Sequence, residues 1–94
     1  MSRVIYRFPL EVCDQQTIEV PGGITPLHVG FQDGTLCLWG SVWPGYSTVS
    51  FPVYIIGTGN PYNIEDPMLI HAGTAYDGLF VWHVFVGSQL DSTS

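Results

Sequence analysis

Residues Met68–Val86 read M-L-I-H-A-G-T-A-Y-D-G-L-F-V-W-H-V-F-V. Asp77-Gly78 stands between two apolar, β-prone runs, the pattern of a tight primed turn whose central residues must tolerate positive φ. If Asp77 and Gly78 are the two turn residues, Trp82 faces Gly73, His83 faces Ala72, Val84 faces His71 and Phe85 faces Ile70. The second run, L-F-V-W-H-V-F-V, is apolar on both faces and broken only by His83. Such a strand is expected inside a core, covered on both sides, with a sheet assembled around it.

The same reading extends outward. Arg3 to Leu10 alternates, with Val4, Tyr6 and Phe8 on one side. Pro9 has no N–H to donate, so this strand is expected to end there or to lie at an edge. Gln16 to Val20 forms a second strand, closed by Pro21-Gly22-Gly23. Leu27 to Trp43 is a further hairpin turning at Asp33-Gly34, in which Gln32 faces Thr35, Val29 faces Leu38 and His28 faces Trp39. Its core face is expected to carry Leu27, Val29, Phe31, Leu36 and Leu38. Val49 to Ile56 is a strand containing Pro52, which again argues for an edge or a bulge. Tyr62 to Pro67 is a loop or a single helical turn with Asn63 as a cap.

No longer segment has the i, i+3, i+4, i+7 apolar spacing of a helix. The expectation is a single all-β domain over residues 1–87, an antiparallel sandwich or open barrel of about seven short strands, with a polar tail over 88–94.

Composition narrows the function. The chain has 94 residues, enough for one core and too few for a core plus a deep enclosed active site. Apolar residues make up 46% against 11% charged, which predicts a folded chain with much uncharged surface for a partner or a second copy. Eight acidic residues face only Arg3 and Arg7, so direct DNA or RNA binding is not expected. Nothing has the form of a signal peptide or membrane span, so the cell interior is the expected compartment, with Cys13 and Cys37 as reduced thiols.

Chemistry-bearing motifs are sparse. There is no G-x-S-x-G elbow, no H-E-x-x-H and no zinc-like spacing, so neither an enzyme nor a metal or cofactor site is expected. His71 and His83 fall on opposite faces in the simple register and would not share a metal. The loop Gly57-Thr58-Gly59-Asn60-Pro61 could cradle an anion with successive amides, or could simply turn the chain. Trp43, Tyr46 and Tyr62 sit at strand ends or in loops, where a ring suits a binding hot spot or folds back on the core. Trp43, Tyr46, Gly57, Thr58, Gly59, Asn60 and Tyr62 are therefore the candidate binding residues.

Several stretches resemble a family of small uncharacterised proteins of tailed phages and prophages. They are Y-R-F-P-L-E-V at Tyr6–Val12, D-Q-Q-T-I-E-V-P at Asp14–Pro21, L-C-L-W at Leu36–Trp39, the G-T-G-N-P loop and V-W-H-V-F at Val81–Phe85. Members often carry histidine before the loop proline; Asn60 stands there in this chain, which weakens any metal or acid–base role at that position. The resemblance implies phage origin and a place in the host bacterial cytoplasm. By association with that origin, the expected function is binding: an inhibitor docked on a host defence protein, such as a CRISPR effector. Two alternatives are an oligomeric sponge for a nucleotide immune signal and a minor virion or assembly component.

Overall fold

The computed structural model describes residues 2–90. Its strands are β1 (Val4–Leu10), β2 (Gln15–Pro21), β3 (Thr25–Gln32), β4 (Thr35–Val42), β5 (Thr48–Gly57), β6 (Ile70–Asp77) and β7 (Phe80–Val86). They form two antiparallel sheets, ordered β1-β4-β3 and β2-β5-β7-β6. The fold is an open all-β sandwich, and no helix occurs among the described residues. None is therefore long and apolar enough to cross a membrane.

Period-two alternation builds the core. Ile18, Val20, Val53, Ile55, Ala75, Val84 and Val86 point inward from the larger sheet, and Leu10, Val29, Leu36, Leu38 and Val42 from the smaller. The sheets draw close where β6 meets β3. There Gly73 leaves space that a Cβ could not share: an added one would lie 3.0 Å from the Val29 Cβ and 3.2 Å from its backbone nitrogen.

The β3–β4 hairpin has the expected register, with Asp33 and Gly34 both at positive φ as a type I′ turn requires. Leu27 departs from expectation. The ladder slips between Pro26 and His28, and Leu27 is 52% exposed rather than on the core face.

Pro52 also departs, because β5 is an interior strand. The missing N–H is harmless for a local reason. The β5–β7 ladder starts at Val53↔Val86, and one step beyond it Gly87 N–H donates to the Pro52 carbonyl at 3.0 Å. In an antiparallel ladder a residue's N and C=O point to the same side. The donor that Pro52 lacks thus faces the place where β7 has ended. Pro9, by contrast, lies on the edge strand β1.

The last hairpin is shifted by one position on each strand. Asp77 pairs with Phe80, so the loop residues are Gly78 and Leu79. Gly78 has φ 57° and Leu79 has no positive φ, the pattern of a type II′ turn with glycine first. Trp82 therefore faces Ala75, not Gly73, and His83 faces Thr74, not Ala72. Nor is β7 covered on both sides. Val84 and Val86 are buried inward, whereas Val81, His83 and Phe85 on the outer face are half-buried.

Residues 61–66 form an extended loop without the helical turn allowed for at Asn63. Part of the 88–94 tail lies outside the described residues. Leu90, within them, donates its N–H to the Ser50 carbonyl at 2.7 Å, so the packed chain continues past residue 87.

Three substitutions test this packing by denaturant unfolding. Leu38 is fully buried, and Leu38→Ala is expected to cost about 3 kcal/mol. Gly78→Val is expected to cost about 1–2 kcal/mol through its positive φ. Leu79, 96% exposed in the same turn, should tolerate serine within about 0.5 kcal/mol.

Candidate functional site

The residues with chemical potential gather where β5 outruns β2. Their ladder begins at Gln15↔Tyr54, yet β5 continues to Gly57. The overhang opens a groove of about 550 Å³, walled by the loop after β1 and the loop after β5. Cys13, Asp14, Tyr54, Asn60, Tyr62 and Trp82 are among its lining residues.

Both walls are fixed by hydrogen bonds from neutral side chains and backbone. The Gln16 Oε1 accepts the Glu11 N–H at 3.1 Å, and its Nε2 donates to the Glu11 carbonyl at 2.7 Å. One glutamine thus closes the whole β1–β2 loop. Across the groove, Thr58 N–H donates to the Val81 carbonyl at 3.1 Å and Asn60 N–H to the Gly57 carbonyl at 3.1 Å. Two amides that an anion cradle would need are therefore already engaged. Neither arginine lies at this groove: Arg3 donates to Thr25 Oγ1 at 2.7 Å, and Arg7 to Gln32 Oε1.

A second polar chain runs over the outer face of the larger sheet. His71 Nε2 lies 3.1 Å from Thr74 Oγ1, Thr74 Oγ1 lies 3.0 Å from His83 Nδ1, and His83 Nε2 lies 2.6 Å from Thr58 Oγ1. A β-bulge makes this possible. The β6–β7 register slips between His71 and Gly73, placing His71 opposite Phe85 and turning it onto the face of His83. The two rings lie 6.3 Å apart, so the opposite-face expectation is overturned. Each His83 nitrogen meets a hydroxyl, which can donate or accept, so the ring is satisfied in either tautomer. Among the described residues no three His, Cys, Asp or Glu side chains converge as a metal site needs. Beside His83 a shallower groove of about 290 Å³ is lined by Thr58, Gly59, Asn60, Tyr62 and Phe85.

The structure divides the residues expected to bind. Gly57, Thr58, Gly59, Asn60 and Tyr62 lie together at these grooves. Trp43 and Tyr46 do not join them, because they precede β5 and the others follow it. Nine steps of a strand separate the two groups by roughly 30 Å. Trp43 is instead packed locally: the Arg3 guanidinium lies 5.1 Å from its ring centre and Tyr46 6.0 Å away.

Asp14, Tyr54, Trp82, His83 and Phe85 were not among the candidates. His83 carried a visible signal, as the single polar residue of an apolar strand. The other four join the site only through tertiary pairing.

At the far end of the 61–69 loop, Asp66 ties the loop to the chain after β7. Its Oδ1 accepts the Ser88 hydroxyl at 2.5 Å and the Met68 N–H at 2.9 Å, and its Oδ2 accepts the Ser88 N–H at 2.7 Å. The hydroxyl bond, then the two amide bonds, hold the Asp66 carboxyl below its ordinary pKa. A depressed carboxylate contributes stability that is complete above its unfolded pKa and lost as pH falls through the folded value. The melting temperature should therefore fall as pH drops below about 4, the ordinary aspartate range. Asp66→Asn should start lower at neutral pH and show a shallower acid decline. Thermal melts across that range, parent beside variant, check both.

Fold and site together define a small antiparallel β-sandwich with a stitched groove at one end of its larger sheet. The chain belongs to the family described as a domain of unknown function, DUF7352, which matches residues 1–93. No curated protein and no solved structure matches it.

Proposed function

We propose that this chain is a non-enzymatic accessory protein of a tailed phage or prophage. It works in the host bacterial cytoplasm by docking on a host defence protein and blocking it. The observation that carries the reading is the exposed apolar surface at this end of the larger sheet. Val12 and Tyr62 line the groove, Phe80 stacks on the groove residue Trp82 with ring centres 5.6 Å apart, and Leu79 stands in the turn beside Phe80. Val12 is 49% exposed, Tyr62 58%, Phe80 59% and Leu79 96%. Leu79 occupies a turn position where a polar residue would serve the fold equally well, so its exposure is better explained by a partner that covers it.

Charge agrees with a protein partner. The net charge is −6, and both arginines have neighbours on the smaller sheet, leaving no basic surface for nucleic acid or an anionic membrane. The nucleotide-sponge alternative is not favoured, since the Gly57–Asn60 loop has engaged amides and no basic side chain beside it.

The test is recovery of a tagged copy from infected cells. A host defence protein should accompany it in stoichiometric amount. Leu79→Glu should abolish that association while leaving the melting temperature unchanged, because Leu79 packs on nothing. Recovery with the phage particle, or with a small ultraviolet-absorbing ligand in place of a protein, would replace this reading by the virion or the sponge alternative.

A further inference from the structure

We infer that the groove beside the β5 overhang receives a cationic side chain, lysine or arginine, presented by the protein partner. The inference rests on the docking reading and names the chemistry of its central contact.

Three properties of the groove select a cation. The first is its rings. Tyr54, Tyr62 and Trp82 all line it, and an aromatic face attracts an ammonium or guanidinium through its quadrupole. The second is charge. Asp14 lines the groove and Glu11 begins the same loop, while no lysine or arginine lines it. A phosphate or carboxylate would be desolvated there without a counter-charge, whereas a cation gains one. The third is space. Gly57 has no side chain, and an added Cβ would lie 3.2 Å from the Trp82 Cζ3 and 2.8 Å from the Asn60 Nδ2. The indole and the amide close over that position and shape the groove.

The site is also held ready. Gln16 fixes the wall that carries Asp14, and the bonds of Thr58 and Asn60 fix the wall that carries Tyr62. A rigid site avoids ordering costs on binding, which favours one inserted side chain over a diffuse contact. Val12 in the groove wall and Phe80, stacked on Trp82, would then pack around the inserted base and exclude water from it.

The experiment needs only the purified chain. N-acetyl-arginine amide and tetramethylammonium chloride are titrated at ionic strength matched with sodium chloride. The tryptophan indole N–H resonances are followed by NMR, with N-acetyl-norleucine amide and AMP as further probes. Both cations should shift the Trp82 resonance saturably, and norleucine amide and AMP should not. Tyr62→Ala should weaken cation binding roughly three- to fivefold, the range of one partly exposed cation–π contact. Asp14→Asn should weaken the binding of both cations.

Shifts no larger than those of sodium chloride, equal binding by norleucine amide, or saturable binding by AMP would each overturn the inference. The outcome is separable from the docking reading. Cation binding with no host protein recovered sinks the docking reading alone, and a recovered host protein without cation binding sinks this inference alone.

Discussion

One backbone choice sets most of what is distinctive here: the final turn runs through Gly78 and Leu79, with Gly78 at positive φ and Asp77 already paired with Phe80. That choice fixes the pairing of β6 with β7, and β7 in turn pairs with β5 in the middle of the larger sheet. Trp82 is thereby set across from Gly57 on one side and Ala75 on the other, so a large ring lies between two small residues. His83, one residue later, is turned outward to meet Thr58 and Thr74. The groove and the polar chain thus share one register.

A chain with so few charges is stitched by neutral hydrogen bonds. Gln16, Thr58, Thr74 and His83 each join segments that lie apart in sequence, and the carboxylate of Asp66 does the same for the loop before β6. Such bonds contribute modestly, about 1 kcal/mol each, but a buried donor or acceptor left without a partner costs more. The Thr58–His83 bond joins G-T-G-N-P to V-W-H-V-F, and the Ile55 N–H, donating to the Asp14 carbonyl at 3.3 Å, brings D-Q-Q-T to the same groove. One buried donor stands outside this pattern: Trp82 Nε1 has no partner among the described residues.

Alternation made the strands and the two-sheet class legible, and Asp33-Gly34 made one hairpin legible to the residue. What failed was local detail with long-range consequences. Asp-Gly supports either of two primed turns, and only the fold chooses between them. The extra residue at the β6 bulge has no signature in H-A-G, yet it moves His71 from one face of the sheet to the other. Pro52 looked like an edge residue because sequence cannot say where a neighbouring strand stops. The candidate site was half legible. The glycine loop and Tyr62 belong to it, but the length of β5 carries Trp43 and Tyr46 to the opposite end.

The most direct test of the account is the register of the last hairpin, read from cross-strand nuclear Overhauser contacts in isotopically labelled protein. Contacts linking Ala75 with Trp82, Thr74 with His83 and His71 with Phe85 are the predicted result. Contacts linking Gly73 with Trp82 and Ile70 with Phe85 would contradict it. They would place the turn at Asp77-Gly78, return His71 to the other face and dissolve both the polar chain and the groove built on it.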